Sequence, residues 1–270
     1  MLPFLHIGSF SLPTYGLMLS LAIMTAMFVM DRAIKRAHLA ADAVSMVATA
    51  ALAGIVGSKI WYLVLDSPED FRAMGWSVLW QNSGFSWFGA LLFGVLALVL
   101  QGRKEKIGGL RTLDLAAPSA AIGQGLGRIG CFLSGDGCYG IAIQPVHLFG
   151  FTFHPWGMAF PNGIVPVFVP VYPTPLYEFA IGVAIGGWLW WRLGKPYATG
   201  AIMGQYLILA GTARFLVEFI RRNPKVFWGL SNEQVTSSGA IVMGIALLWW
   251  LAKRPARWPQ KASATVAKPA

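Results

Sequence analysis

Residues 13–30 read PTYGLMLSLAIMTAMFVM, eighteen positions without one charged side chain. At about 1.5 Å of rise per residue, a helix of this length nearly spans the roughly 30 Å hydrocarbon core of a bilayer. Comparable stretches follow at about 44–65, 84–101, 112–133, 174–191, 199–220 and 236–252. The pattern predicts an all-α fold, a polytopic transmembrane helix bundle of about seven spans. The fourth stretch, centred on AAIGQGLGRIGCF (residues 120–132), is glycine-rich and only weakly hydrophobic. Small residues of that kind allow close helix approach, so this span is expected inside the bundle.

Composition excludes a soluble domain. The 270 residues are 56% hydrophobic and 12% charged, against about 25% charged in soluble proteins. Residues 1–258 read as one transmembrane domain. Within it, segment 134–173 carries neither Lys nor Arg but many Gly, Pro and aromatic residues, and reads as a small extracytoplasmic cap. The last stretch, 259–270 (PQKASATVAKPA), reads as a disordered basic tail.

The net charge of +10 is not spread evenly. Taking loops alternately, one set holds 14 of the 21 basic residues, including Arg32, Lys35, Arg36, Arg103, Lys104, Lys106 and Arg111. The other set holds four: Arg72, Arg221, Arg222 and Lys225. Cytoplasmic loops carry the basic excess, which places the N-terminus outside and the C-terminus in the cytoplasm. This asymmetry, with a basic tail suited to anionic lipid headgroups, accounts for the charge without nucleic acid. The opening MLPFLHIG lacks a basic n-region, so no cleavable signal peptide is expected. No internal repeat of the secondary-transporter kind is evident.

Three basic residues fall within or at the edge of spans: Lys59, Arg128 and Arg214. A charge facing lipid costs several kcal/mol, so each should face the bundle interior with a partner. Glu218, Asp136, Glu178 and Asp114 are the candidates. Arg214 and Glu218 are four apart and share a helix face, and Tyr15 and Tyr177 add hydroxyls. A structural ion pair closing the bundle is one reading of these charges. A cationic pocket for a phospholipid headgroup is the other, because arginine offers a planar fork matched to phosphate oxygens. Gly127, Gly130, Gly135, Gly137 and Gly140 surround Arg128 and Asp136, and would let backbone approach a ligand.

The two cysteines, Cys131 and Cys138, are too few for a disulfide framework or a four-ligand structural zinc site. The histidines His6, His38, His147 and His154 show no ligand spacing, so neither metal nor cofactor is expected. In a loop facing outward, a disulfide and two unpaired structural cysteines both remain open, with a reactive thiol as the third reading.

Five elements in one order resemble the prolipoprotein diacylglyceryl transferase family. They are Tyr15-Gly16-Leu17-Met18; Gly127-Arg128-Ile129-Gly130 with Phe132 and Gly140; Pro173-Thr174-Pro175-Leu176-Tyr177-Glu178; Gly211 through Phe219 with Arg214 and Glu218; and Gln234. The resemblance implies a multi-pass enzyme of the bacterial cytoplasmic (inner) membrane. It would move diacylglyceryl from phosphatidylglycerol to the lipobox cysteine of a prolipoprotein, releasing glycerol phosphate. It implies catalytic roles for Arg128, Arg214, Asp136 and Glu218, with the arginines gripping phosphate. Substrate contacts would come from Tyr15, Lys59, Gly127, Gly130, Tyr177, Glu178 and Gln234. The sequence departs from the family pattern at Phe88, where a histidine is usual, at Cys131 for asparagine and at Asp136 for glutamate. Lys59 stands where arginine is common, and Tyr172 where histidine often precedes the proline. A related membrane transferase with another acceptor, or a non-catalytic lipid binder on the same scaffold, are the alternatives.

Overall fold

The computed structural model describes residues 1–8, 10–80, 84–144, 146–148, 151–153 and 155–254. The tail 259–270 and His154 lie outside the described residues. Each of the seven apolar stretches is a helix. Four are long and apolar enough to cross a membrane: α1 (Thr14–Arg36), α2 (Ala43–Trp61, prolonged by a π-helical turn to Asp66), α4 (Trp87–Lys104) and α8 (Asn232–Leu251). The other three are α5 (Gly109–Ser134), α6 (Thr174–Leu193) and α7 (Ala201–Val217), whose ends carry Arg128, Glu178 and Arg214. A short helix α3 (Pro68–Met74) and a 3-10 turn to Trp80 join α2 to α4.

Local signals set the helix ends. The Asp42 carboxylate accepts from Val44 N (2.9 Å) and Ser45 N (3.2 Å) to start α2. Gly135, left-handed at φ 60°, closes α5. At α8, Ser231 and Gln234 form a reciprocal capping box. Asp114, offered above as an ion partner, is fully buried in α5 and serves another end: its oxygens accept from Gly200 N and from Met203 N at 2.9 Å. It thereby satisfies donors at the start of α7, where a negative charge also complements the helix dipole.

α5 is the central helix, packed against α1, α4, α6 and α7, with twelve of its 26 residues buried. The interior position expected for the glycine-rich span is thus observed. Around it the bundle turns apolar side chains outward, among them Leu17, Met24, Phe28, Leu52, Leu92, Leu96, Val242 and Trp249. Exposed apolar surface of this extent marks lipid-facing helices rather than a water-soluble surface.

Three antiparallel hairpins, absent from the sequence reading, accompany the helices: β1 (Phe4–Ile7) with β2 (Phe10–Pro13), β3 (Val146–Leu148) with β4 (Phe151–Phe153), and β5 (Met158–Phe160) with β6 (Val167–Val171). The last two lie in the segment between α5 and α6. That segment has its own small core of Tyr139, Phe160 and Val171, in which Tyr139 stacks on Phe160 at 4.9 Å. It is tied to the end of α7, since Ile141 N donates to Ile220 O at 2.9 Å and Gly140 pairs with Arg221.

Helix pairs meet through small residues. A β-carbon on Gly89 of α4 would collide with the Gly57 carbonyl of α2 and lie 2.5 Å from Trp61 Cβ. One on Gly187 of α6 would meet nothing within 4 Å. Overpacking costs about 1–3 kcal/mol, so Gly89→Ala should lower the thermal unfolding midpoint in detergent. Gly187→Ala should leave the midpoint unchanged or raise it, because Ala outranks Gly as a helix former by up to about 1 kcal/mol.

Candidate active site

Successive helices run in opposite directions, so the C-terminal ends of α5 and α7 and the N-terminal ends of α6 and α8 gather at one end of the bundle. Glu178, one turn into α6, is the hub there. Its Oε1 accepts from Arg214 Nη1 at 2.7 Å, and its Oε2 accepts from Arg221 Nη1 at 3.0 Å with Arg128 Nε at 3.3 Å. Arg128 comes from α5 and Arg214 from α7. Arg221 follows the 3-10 turn Glu218–Ile220 that prolongs α7.

Glu218 is the second anion. Its Oε2 lies 3.2 Å from Arg214 Nη2 and 3.7 Å from Arg221 Nε. Its Oε1 accepts from Asn223 Nδ2 (2.6 Å) and Ser231 Oγ (2.9 Å). The i, i+4 pair expected at Arg214 and Glu218 is therefore present, inside a larger network.

Charge and exposure divide the cluster into two layers. Three guanidiniums face two carboxylates, leaving one net positive charge. Glu218 (1% exposed), Arg221 (7%) and Glu178 (9%) are buried. Arg128 (21%) and Arg214 (20%) still reach open space. That space is an open cleft between α5, α6 and α7, lined by Gln124, Arg128, Glu178, Tyr206 and Arg214 with Gly125, Gly182 and Ala210. Tyr206 OH donates to Gln124 Oε1 at 3.4 Å across it. The arrangement suits a ligand with one more negative charge than the protein supplies, gripped by donors held in fixed orientation.

The other sequence-predicted residues are distributed around this hub. Gly130 lets α1 approach α5, since a β-carbon there would sit 3.2 Å from Tyr15 Cδ2 and Met18 Cβ. Gly127 adjoins Arg128 and faces open space. Tyr177 donates to Trp156 O (3.3 Å), fastening the hairpin segment to α6. Gln234 is fully buried and serves the α8 cap, where its side chain accepts from Ser231 N at 3.1 Å. Lys59 lies away from the hub on α2, its ammonium 4.6 Å from the Phe85 ring centre.

Asp136 differs from expectation. Among the described residues it forms no ion pair with Arg128 or Arg214, and its Oδ1 accepts from Cys138 N at 3.1 Å. The Arg128 counterion is Glu178 instead, because the αL turn at Gly135 carries Asp136 past the helix end. Cys131 and Cys138 are both free thiols. Beyond the end of α5, the Cys138 thiol is lowered from its ordinary range, chiefly by a hydrogen bond from Cys131, with Arg221 adding a positive field. Sequence reasoning missed Arg221, Asn223 and Ser231. Arg221 carried a legible signal, standing three residues past Glu218 on the same helical face.

Lipid-facing helices around a cleft with a net positive cluster at one end define a helical membrane protein. The sequence profile described as prolipoprotein diacylglyceryl transferase matches residues 3–250. Proteins called phosphatidylglycerol–prolipoprotein diacylglyceryl transferase are similar along nearly the whole chain. The one from Clostridium tetani is 32% identical, over 86% of this chain and 90% of its own length. Those from Vibrio cholerae (32%; 92% and 90%) and Pseudomonas paraeruginosa (31%; 96% and 96%) align over still more of it. The chain belongs to the prolipoprotein diacylglyceryl transferase family.

Removing one member of a buried ion pair costs about 3–5 kcal/mol. Glu178→Ala, which takes the carboxylate partner from Arg128 and one of two from Arg214 and Arg221, should lower the unfolding midpoint in detergent more than Arg128→Ala, which removes one of the three cations. Equal midpoints for the two variants would show that Glu178 is not the hub.

Proposed function

We propose that this chain transfers the diacylglyceryl group of phosphatidylglycerol to the lipobox cysteine thiol of a prolipoprotein, releasing glycerol phosphate. The observation that carries the reading is the net positive arginine cluster with two fork-like donors exposed to an apolar-walled cleft. In this reaction the acceptor sulfur attacks the glyceryl carbon bonded to phosphate oxygen. A carbon–sulfur bond forms, the carbon–oxygen bond breaks, and its electron pair goes to the departing phosphate. Charge therefore grows on the phosphate in the transition state, and guanidiniums already fixed in place stabilise that state more than the ground state.

In this reading Arg128 and Arg214 grip the phosphate. Glu178 and Glu218 hold the arginines at fixed spacing and offset their mutual repulsion. Arg221 supports them from the buried side. Gly127 leaves room beside Arg128 for the headgroup, and Tyr15 packs from α1 beside Gly130, one turn along α5. Lys59 would meet substrate farther out, near α2. Tyr177 and Gln234 act through position, by securing the hairpin segment and the start of α8. Asp136, just past the end of α5, forms no ion pair with an arginine among the described residues, and it is the group we assign to the acceptor side.

The same reading places seven spans in the bacterial cytoplasmic membrane, with the N-terminus outside and 134–173 as an extracytoplasmic cap. The basic loops at the opposite end support it, because Arg36, Arg103 and Arg192 all lie at helix ends distant from the cluster. That orientation would set the cleft in the outer leaflet, where an exported prolipoprotein presents its cysteine.

Expression in cells depleted of their own diacylglyceryl transferase tests this, with lipidation of one lipoprotein followed by gel mobility. The wild-type chain should restore lipidation. Arg214→Ala should remain in the membrane and lose at least about 100-fold in transfer rate, the scale for deleting a transition-state donor. Full lipidation by Arg214→Ala would remove the assignment.

A further inference from the structure

Among the described residues, a further cluster of reactive side chains stands at the end of α5: Asp136, assigned above to the acceptor side, with Cys131 and Cys138, which have no role so far. Their two sulfurs and one carboxylate oxygen lie within 4.8 Å of one another. The backbone that carries them is fixed from several directions. Cys131 O accepts from Gly135 N (3.0 Å) and Ser134 Oγ (3.2 Å) at the end of α5. Cys138 O accepts from Thr174 Oγ1 of α6 at 2.7 Å, and Cys138 N holds Asp136 Oδ1. Gly135 and Gly137, at φ 60° and 89°, make the tight reversal that returns Cys138 to Cys131. The three donors are thus presented together before any ligand arrives.

We propose that Cys131, Asp136 and Cys138 form a binding site for a zinc-class divalent cation. Two thiolates with one carboxylate match the borderline-soft character of zinc, and calcium or magnesium would demand oxygen alone. Sulfurs bonded to one tetrahedral zinc at about 2.3 Å stand about 3.8 Å apart, so small side-chain rotations close the site. Binding releases the two thiol protons to solvent. Two thiolates, a carboxylate and a divalent cation then sum to one negative charge. Arg128, one turn before Cys131 on the same face of α5, offsets that charge. The arginine that would repel a bare cation therefore stabilises the complete complex.

Three protein ligands leave a coordination position, as in catalytic rather than structural zinc sites. Two cysteines are too few for a closed site but sufficient for an open one. A thiol that occupies the open position is deprotonated by the metal. This second step rests on the transferase reading: the ligand would be the acceptor cysteine of the prolipoprotein. Its thiol proton goes to solvent, and its sulfur forms the carbon–sulfur bond as the phosphate leaves beside Arg128.

The test uses the full chain, reduced, stripped of metal and held in detergent micelles. Zinc uptake is measured by elemental analysis, and cobalt uptake by the thiolate-to-cobalt charge-transfer absorption. The wild type should take up one equivalent of zinc and show that absorption with cobalt. Cys131→Ser and Cys138→Ser should each weaken zinc binding at least about tenfold, since even outer-shell changes act on that scale. Asp136→Asn, which keeps the side-chain shape, should weaken it while leaving the elution profile of the folded protein unchanged. No uptake by the reduced wild type, or equal uptake by the cysteine variants, overturns the site. Prolipoprotein transfer that falls on stripping and returns with zinc supports the acceptor role, and transfer indifferent to stripping overturns that role. Zinc bound at one equivalent by a chain with no transfer activity would instead count against the transferase reading.

Discussion

The cluster depends on one carboxylate. Glu178 meets Arg128, Arg214 and Arg221 within 3.3 Å, the first from α5 and the other two from α7 and the turn that prolongs it. At membrane depth an uncompensated guanidinium costs several kcal/mol. The ends of α5, α6 and α7 must therefore stay in register for any of these charges to be tolerated. Glu218 extends the constraint to α8 through Ser231, whose hydroxyl bonds the carboxylate while its oxygen caps the helix. A single polar assembly thus fixes four helix ends.

The rest of the architecture serves that assembly. α5 can sit at the centre because its small residues let α1 and α6 approach closely. Its apolar deficit costs nothing there, since few of its side chains meet lipid. The hairpin segment after α5 covers the same end and pairs with the strand-like stretch at Arg221. Two partly exposed arginines face the cleft, and the Cys131–Asp136–Cys138 turn lies at the end of α5, the helix that carries Arg128. In the proposed reaction these are the leaving-group side and the acceptor side.

The helices were legible in the sequence because lipid demands long apolar runs, and each run became a helix within a few residues of its expected ends. Arg214 and Glu218 were legible because they lie on one turn of one helix. Glu178 as the shared counterion was not, since its role depends on three helices meeting, and spacing along one chain does not encode that. Arg221 was read as a loop charge because α7 tightens into a 3-10 turn, which keeps it on the face of Glu218. The hairpins escaped notice because strands of three to five residues leave little alternation to read. Ser231 and Gln234 carry the spacing of a capping box, which accounts for the buried glutamine by helix termination.

Binding of intact phosphatidylglycerol to the full chain measures the central claim without requiring turnover. Lipid retention would be followed by mass spectrometry of the detergent-solubilised protein, with neutral diacylglycerol as the comparison lipid. The account predicts that replacing Arg128 and Arg214 together by alanine removes phosphatidylglycerol retention and leaves diacylglycerol retention unchanged. Equal retention of phosphatidylglycerol by the wild type and the double variant would contradict it, because the arginines would then not be holding the phosphate.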